Sequence, residues 1–368
     1  MRITAAVSRA PQTPMSFEQL ELEEPRDNEV LVRVTSCGVC HTDIAMRDQV
    51  YPVPQPVVLG HEGAGFVEKT GKGVSDFSPG DPVIISYSSC GTCPTCLDAT
   101  SGLCHHYWDY NFASQRLDGS TALRNEHESI HSHFFGQSSF ATYALTRPDN
   151  LVKLETTENM DYLGPLGCGI QTGAGAVINV MRLRPGDSVA VFGTGSVGLS
   201  AVMAAQVCGA ATIVAVDLND QKLALARELG ATHTINSANV DDLVSAVREA
   251  TGGKGLNYSL DTTAREALLN AQVDCLSIKG KAIIVGASPQ GTRINLDAVT
   301  FMNQGKTIMG AVEGNCIPKR FLPQLIALFR QGRFPLDKLI TFYPFEQLNQ
   351  AIEDSEKGRV IKAVVKMA

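Results

Sequence analysis

The pattern of hydrophobic positions changes character about halfway along the 368-residue chain. Before about residue 155, short β-branched runs stand between turn signals, as in VLVRV at 30–34, GFVE at 65–68 and PVIIS at 82–86. Because such runs are typical of strands, this part predicts a small, strongly bent β-domain. The polar, irregular segment 107–133 is predicted to be an excursion on its surface.

From about Asp187 onward, apolar runs alternate with segments of helical spacing. The runs SVAVF, ATIVAVD, GLNYSLD and KAIIVGA are separated by helical patterns such as QKLALARELG and DDLVSAVREA. This alternation predicts a doubly wound parallel sheet. After about Gly310, the pattern predicts helices over 318–330 and 345–355, then a strand over 360–366 that returns to the first domain.

Charge and hydropathy exclude several classes of partner. The net charge of −7 argues against a nucleic-acid partner, which would need a basic face. The sequence has no apolar run near the roughly 18 residues of a membrane span, and its first residues lack the apolar core of a signal peptide. We therefore expect a cytoplasmic protein that binds neither nucleic acid nor membrane.

A glycine-rich sequence follows the first strand of the second part. Gly193, Gly195 and Gly198 fit G-x-G-x-x-G, and Asp217 ends the next strand 19 residues later. The three glycines suit a tight turn, a close approach by a pyrophosphate and close helix–strand packing, respectively. Asp217 favours a ribose diol over a 2′-phosphate, which predicts NAD rather than NADP. A glycine turn of purely structural use is the alternative.

Four of the ten cysteines lie within fifteen residues and could wrap one metal ion. They are Cys90, Cys93, Cys96 and Cys104. Four thiolates make a closed tetrahedral site, so residues 90–104 predict a lobe held by a structural zinc. An iron–sulfur cluster or free redox thiols are the alternatives, although the last spacing departs from a cluster-binding run.

A second metal site is predicted from cysteine and histidine residues that lie far apart. Cys40 and His61 can meet on one ion if the chain folds back between them, and Cys168 is our candidate for the third ligand of a catalytic zinc. Asp43 is the candidate to bind the other ring nitrogen of His61. Spacing alone leaves open that these are ordinary packed residues.

Five stretches together resemble the zinc-dependent medium-chain alcohol dehydrogenases. They are GHEGAG around His61, the four-cysteine lobe, LGCGIQTG around Cys168, GTGSVG and the closing GRVIK. Within that family, the segment HFFGQSSFA at 133–141 resembles the pocket wall of the aryl-alcohol (benzyl-alcohol) dehydrogenases. The resemblance covers essentially the whole chain. It implies an α/β protein with a GroES-like catalytic domain at 1–168 and 313–368, and a Rossmann-fold doubly wound parallel sheet inserted at 169–312.

The resemblance also implies roles for single residues. Cys40, His61 and Cys168 would hold the catalytic zinc, with Glu62 behind it as an alternate ligand. Thr42 would hydrogen-bond the substrate oxygen and start a proton relay.

Two further residues, His41 and Lys362, would contact the cofactor pyrophosphate. Ala45 stands where many members carry a relay histidine, so the relay beyond Thr42 stays open.

The substrate pocket is predicted from six positions that match the family. They are Tyr51, Ser86, Phe134, Phe135, Ala287 and Val312. Several are small, which suits a bulky substrate, and the two phenylalanines could offer flat apolar surface to an aromatic ring. The alternative is that both phenylalanines belong to the core.

The implied function is reversible NAD-linked oxidation of primary aromatic alcohols to aldehydes, by hydride transfer from an alkoxide on zinc. Two zinc ions per chain, a small alcohol or aldehyde substrate, and a homodimer or homotetramer follow from the same resemblance. A general aliphatic primary-alcohol dehydrogenase is the alternative. A non-catalytic nucleotide-binding protein on the same fold is a more remote one.

Overall fold

In the computed structural model, which describes residues 1–367, the chain divides into two compact units. The first comprises residues 1–169, 317–326 and the chain from Leu336 onward, and the second comprises 170–316 and 327–335. We predicted that the chain returns to the first domain at residue 313. In the structure, residues 313–316 and 327–335 still belong to the second unit.

The strands are β1 (Arg2–Ser8), β2 (Ser16–Leu22), β3 (Val30–Gly38), β4 (Val57–Val58), β5 (Gly63–Thr70), β6 (Pro82–Ile85), β7 (Leu123–Arg124), β8 (Ser129–Ile130), β9 (Tyr143–Thr146), β10 (Leu151–Lys153), β11 (Ser188–Phe192), β12 (Thr212–Asp217), β13 (His233–Asn236), β14 (Leu256–Asp261), β15 (Leu276–Ile284), β16 (Thr307–Gly310), β17 (Ile340–Pro344) and β18 (Lys362–Lys366). The helices are α1 (His41–Arg47), α2 (Pro94–Leu97), α3 (Tyr107–Asn111), α4 (Gly169–Gly175), α5 (Ser196–Val207), α6 (Asp220–Glu228), α7 (Leu243–Glu249), α8 (Glu266–Asp274), α9 (Ala298–Gln304), α10 (Pro318–Arg330) and α11 (Leu348–Glu356).

The first unit is built on two β-sheets. One has the order β4-β1-β2-β7-β8, and the other the order β10-β6-β5-β3-β18-β17, with β9 also paired to β3. β-Branched residues of β3 pack with Val67, Val83 and Leu151 in a fully buried cluster. The strands predicted at 30–34, 65–68 and 82–86 overlap β3, β5 and β6, which confirms the β-character of this part.

The closing strand returns to the first unit, as predicted. β18 pairs antiparallel with β3, and Val364 and Val365 lie opposite Gly38 and Cys37. Because β3 runs directly towards α1, this pairing brings the end of the chain to the start of that helix. β18 begins with Lys362, and the ammonium of this residue donates a hydrogen bond to the carbonyl of Val39 at 3.0 Å.

The prediction that 107–133 is a surface excursion is wrong in part. Residue Asn111 is fully buried, and its amide nitrogen donates to the Ser88 carbonyl at 2.9 Å. Leu123 and Ile130 are buried as well, and β7 joins a sheet by pairing with β2. Polar composition misled the prediction because a polar side chain such as Asn111 can be buried when it has hydrogen-bond partners.

The second unit contains the predicted doubly wound sheet, which is confirmed. Its strands are all parallel in the order β13-β12-β11-β14-β15-β16. The central strand β11 is buried at every position, as expected for a strand covered on both faces. The predicted helix over 318–330 coincides with α10. Among residues 1–367, no helix has both the length and the hydropathy of a membrane span.

Candidate active site and four-cysteine lobe

Asp43 organises the first candidate metal site. Cys40 immediately precedes α1, and its N–H donates to Asp43 Oδ2 at 3.0 Å. The other carboxylate oxygen, Oδ1, lies 2.7 Å from His61 Nδ1 and accepts the N–H of Gly60 at 3.0 Å. Asp43 is fully buried. One carboxylate therefore holds both the main chain of Cys40 and the imidazole of His61, and a carboxylate partner of this kind is common for metal-bound histidines.

The three predicted ligands of the catalytic zinc meet in the first unit. His61 Nε2 lies 3.3 Å from Cys168 Sγ, and the ligand atoms of Cys40, His61, Glu62 and Cys168 all lie within 4.8 Å of one another. Zinc bonds of roughly 2.1–2.3 Å in a tetrahedron separate their ligand atoms by about 3.6–3.8 Å, so this set fits zinc. The hydroxyl of Thr42 lies 3.7 Å from Cys40 Sγ.

Charge in this cluster favours a thiolate. The hydrogen bond to Cys168, together with the charge of His61, holds the pKa of the Cys40 thiol well below its usual value against the effect of burial. Burial lowers the pKa of His61, but the charges of Asp43 and Cys40 outweigh it and raise that pKa well above its usual value. Zinc binds the deprotonated forms of cysteine and histidine, so metal uptake at this site should depend on pH.

Glu62 and Lys362 form a buried ion pair beside the cluster. The ammonium of Lys362 donates a hydrogen bond to Glu62 Oε1 at 2.7 Å. It also lies 2.6 Å from Oε2 and forms an ion pair with that oxygen, but no hydrogen bond. Burial raises the pKa of Glu62 to about 7, although Lys362 opposes that shift. The side chain of Lys362 is thus held inside the unit, whereas His41 is exposed. Their contacts with a cofactor pyrophosphate remain predictions.

Phe134 and Phe135 lie in the core, so the structure favours the alternative to an exposed pocket wall. Their exposed fractions are 0% and 3%. The ring of Phe135 stacks on His61, with centroids 4.4 Å apart and planes at 27°, and Phe134 meets the same imidazole edge-on at 5.6 Å. The two rings therefore contact a candidate metal ligand.

The other predicted pocket residues are distributed over both units. Ser86 is buried, and its hydroxyl donates to the Gly167 carbonyl at 2.7 Å, whereas Tyr51 is half-buried. Ala287 and Val312 belong to the second unit, where they are exposed and half-buried, respectively. Their role towards a substrate stays a prediction.

Sequence reasoning missed Gln137 as a site residue. Its buried amide nitrogen donates to the His61 carbonyl at 2.9 Å, and its amide oxygen accepts the N–H of Gly63 at 3.2 Å. Gln137 thus bridges the main chain on both sides of Glu62. A glutamine two residues after two phenylalanines carries no sequence signal for this contact.

The four-cysteine lobe brings its sulfurs together within one short loop. Their ligand atoms lie within 4.8 Å of one another, and the Cys90–Cys96 and Cys93–Cys104 sulfur pairs are both 3.9 Å apart. Four sulfurs about 2.3 Å from a tetrahedral zinc stand about 3.8 Å apart, so the set fits a structural zinc. A hydrogen bond with Thr95 is the main cause that lowers the pKa of Cys93 to about 5.

The glycine-rich loop of the second unit has the three properties predicted for it. Gly193 has a φ of +92°, no atom lies within 4 Å of a Cβ placed on Gly195, and a Cβ on Gly198 would meet the Gly193 carbonyl oxygen at 1.8 Å. Asp217 Oδ2 accepts the N–H and the hydroxyl of Thr194 at 2.7 and 2.8 Å, which ties the carboxylate to the loop. Burial raises the pKa of Asp217, but these hydrogen bonds outweigh burial and lower that pKa.

Comparison with known proteins places the two parts of the chain in two described families. Residues 26–156 match the alcohol dehydrogenase GroES-like domain, and residues 196–331 match the zinc-binding dehydrogenase domain. A geraniol dehydrogenase from Castellaniella defragrans is 42% identical over 362 residues, which is 98% of this chain and 96% of that protein.

Two solved structures are similar along their whole length. A zinc-binding-domain alcohol dehydrogenase protein from Burkholderia ambifaria is 50% identical, with a TM-score of 0.97 over 100% of this chain and 99% of its own. A benzyl alcohol dehydrogenase from Acinetobacter calcoaceticus is 45% identical, with a TM-score of 0.96 over the full length of both chains.

Proposed function

Because this chain belongs to the zinc-dependent medium-chain alcohol dehydrogenase family, we propose that it oxidises primary aromatic alcohols reversibly to aldehydes, with NAD as the hydride acceptor. The observation that carries the proposal is the buried convergence of Cys40, His61 and Cys168 in a chain 45% identical to a benzyl alcohol dehydrogenase. That relative acts on a primary alcohol next to an aromatic ring, which is the substrate class proposed here.

The residues present fit a catalytic zinc held by Cys40, His61 and Cys168. A zinc ion bound there would polarise the oxygen of an alcohol or a carbonyl and lower the pKa of the alcohol. The chain supplies the rest. Asp43 fixes the ring of His61, and the half-buried hydroxyl of Thr42, close to Cys40, is the group to take up the proton of the substrate hydroxyl.

The proton relay beyond Thr42 does not pass through residue 45. Ala45 is 8% exposed and its methyl group cannot hold a proton. We propose that the proton leaves through the ribose hydroxyl of the cofactor and water, or through another group. We expect Ala45→His to raise kcat if proton release limits turnover. An unchanged pH–rate profile in that variant would contradict the idea.

The preference for NAD is proposed from Asp217. Its carboxylate stands at the end of β12, is tied to the glycine-rich loop through Thr194 and keeps its charge because hydrogen bonds lower its pKa. A fixed negative charge there repels the 2′-phosphate of NADP. We expect kcat/KM for NAD to exceed that for NADP at a fixed alcohol concentration.

A second candidate substrate class is supported by the geraniol dehydrogenase at 42% identity. Geraniol is also a primary alcohol, and its hydroxymethyl group is attached to an alkene carbon instead of a ring. The two candidates therefore share an unsaturated carbon next to the reacting centre and differ in the shape of the remaining substrate.

Steady-state kinetics with benzyl alcohol, geraniol and hexanol, followed by NADH formation, test the assignment. We expect the highest kcat/KM for benzyl alcohol. A higher value for geraniol would select the allylic candidate, and a higher value for hexanol would make the enzyme an aliphatic alcohol dehydrogenase. Absence of NADH with every alcohol would favour a non-catalytic nucleotide-binding protein.

We also propose self-association, as a homodimer or homotetramer. Within residues 1–367, β16 pairs with β15 alone and so leaves one edge of its sheet open. Exposed apolar side chains are also present in the second unit, among them Ile278, Val299 and Met302. Open edges and such side chains are commonly covered by a partner. Light scattering after size exclusion would measure the mass, and a monomer would contradict this proposal.

A further inference from the structure

We propose that Phe135 is a positioning residue for His61, and that residues His133–Phe140 form a brace that holds this candidate zinc ligand in place. The inference rests on the zinc site of the proposed function but not on any choice of alcohol. The ring of Phe135 covers one face of the imidazole, with centroids 4.4 Å apart, while Asp43 binds the ring edge at Nδ1. Together they fix both the direction and the tilt of the imidazole.

The brace also holds the main chain around His61. Gln137 bridges the carbonyl of His61 and the N–H of Gly63. Ser138 donates its hydroxyl to the carbonyl of Val58 at 2.6 Å. The same eight-residue segment thus contacts Val58 in β4, His61 itself and Gly63 at the start of β5.

The backbone of the brace is bent so that Phe135 faces His61. Phe135 has a φ of +51°, in the left-handed region that bulky side chains rarely adopt, and His133 and Ser138 share that sign. The amide of Asn150 donates to the Phe135 carbonyl at 3.2 Å and holds the bend. Such conformations persist where the surroundings over-determine them, and they concentrate at functional sites.

Phe135 also links His61 to the four-cysteine lobe. Phe112 meets the Phe135 ring edge-on at 5.1 Å, and Tyr107 does so at 6.3 Å. Tyr107 begins α3, three residues after Cys104. Side chains that follow the lobe therefore pack against the ring that supports the imidazole, so an ordered lobe stabilises the orientation of His61.

A role as a substrate contact is the competing assignment for Phe135. Its ring has Phe112, Phe134, Tyr107 and His61 around it and is 3% exposed. A ring so enclosed has little surface for a ligand. The two assignments predict different measurements, because a positioning residue changes metal binding, whereas a substrate contact changes the choice of alcohol.

The test measures the metal directly in the full-length holoenzyme. In Phe135→Leu, loss of the catalytic zinc to a chromogenic chelator should be about fivefold faster than in the wild type, because one aromatic contact is removed from a ligand. The visible spectrum of the cobalt-exchanged catalytic site should change as well. The zinc released by the four-cysteine lobe is measured separately in Cys40→Ser, which is expected to keep only that ion, and is subtracted.

Two further variants make the result interpretable. Phe77→Leu makes the same side-chain change in a core cluster of β-strand residues, so its zinc release and cobalt spectrum should match the wild type. Phe112→Leu leaves the imidazole stack in place and should accelerate zinc release by about twofold. If Phe135→Leu folds poorly, the comparison of Phe112→Leu with Phe77→Leu still decides.

The proposal is overturned if Phe135→Leu and Phe112→Leu both release zinc at the wild-type rate. A changed ratio of kcat/KM for benzyl alcohol over hexanol with unchanged zinc release would assign Phe135 to the substrate instead. Because zinc release is measured without any alcohol, failure of the aryl-alcohol assignment leaves this result unaffected.

Discussion

The four-cysteine lobe takes its candidate ligands from fifteen consecutive residues, whereas the Cys40, His61 and Cys168 site takes them from three distant segments of the first unit. In the lobe, main-chain N–H groups donate to the sulfurs, as that of Cys93 does to Cys90 at 3.3 Å. The lobe also exposes apolar side chains such as Leu97, which is 74% exposed, so little core supports it.

The catalytic candidate differs in that its surroundings are already ordered by buried charge. Asp43, Glu62 and Lys362 are each at most 2% exposed, and each has a partner in the same cluster. We therefore expect the lobe to depend on a bound metal for its structure, whereas the residues around His61 are ordered by their own buried contacts before a metal binds.

The largest effect is expected for Cys40→Ser. Loss of one of three ligands should release the catalytic zinc and lower kcat/KM by at least about 1000-fold, since the metal supplies several kcal/mol to the reaction. Metal analysis should fall from two zinc ions per chain to one, and the melting temperature should change little. A large loss of stability would show that this metal also maintains the structure.

A large loss of stability is expected for Lys362→Met. It leaves Glu62 buried without its cation, which costs about 3–5 kcal/mol of unfolding free energy. Urea unfolding measures this cost. Adding Glu62→Gln to Lys362→Met should recover much of it, because the uncompensated charge is then removed. Equal stability of the single and double variants would contradict the ion-pair account.

Acid should weaken the interaction of Glu29 with Arg116 and with His133, the first residue of the brace. Glu29 forms two hydrogen bonds with Arg116 and lies 3.6 Å from His133. Burial opposes ionisation of Glu29, but its interactions with His133 and Arg116 lower its pKa from 4.5 to about 2. Its stabilising contribution is therefore complete above pH 4.5 and is lost as the pH falls towards 2, by up to about 3 kcal/mol.

The measurement is the unfolding free energy in urea of the wild type and Glu29→Gln at pH 7, 4 and 3. The difference between the two proteins should shrink on acidification. A difference that stays constant with pH would assign the effect of the substitution to packing instead of charge.

The smallest effect on catalysis is expected for Cys93→Ser. The lobe should lose its zinc, and the melting temperature should fall by at least about 5 °C. Initial kcat/KM should stay within about twofold of the wild type, because no ligand of the other site changes and the lobe reaches His61 only indirectly, through Tyr107, Phe112 and Phe135. An immediate loss of activity comparable to that of Cys40→Ser would break the distinction between the two sites.

The features that could be predicted from the sequence are those that a local pattern of residues determines. The doubly wound sheet followed from alternating apolar runs, and the glycines of the loop between β11 and α5 meet the steric demands expected of each position. The four-cysteine spacing likewise placed the sulfurs within reach of one ion. In the loop and in the lobe the interacting groups lie within about fifteen residues of one another, and the sheet follows from an alternation that is repeated along the chain.

Contacts between residues that lie far apart in the sequence could not be predicted in the same way. Spacing alone left open whether Cys40, His61 and Cys168 are ligands or ordinary packed residues, and the family resemblance favoured ligands. Composition could not show whether Phe135 faces a substrate or an imidazole, because an aromatic ring is apolar in either place. The pairing of Glu62 with Lys362 joins residues 300 positions apart and depends on the register of β18 against β3.

That pairing has a consequence for synthesis of the protein on the ribosome. The segment that carries Cys40, His61 and Cys168 leaves the ribosome long before β18 is made, because chains emerge from the N-terminus first. During this interval Glu62 has no Lys362 to neutralise it, and the nascent first unit lacks the strand that pairs with residues 36–38 at the end of β3. The contiguous residues 170–316 have all emerged before the earlier-made unit receives its last strand.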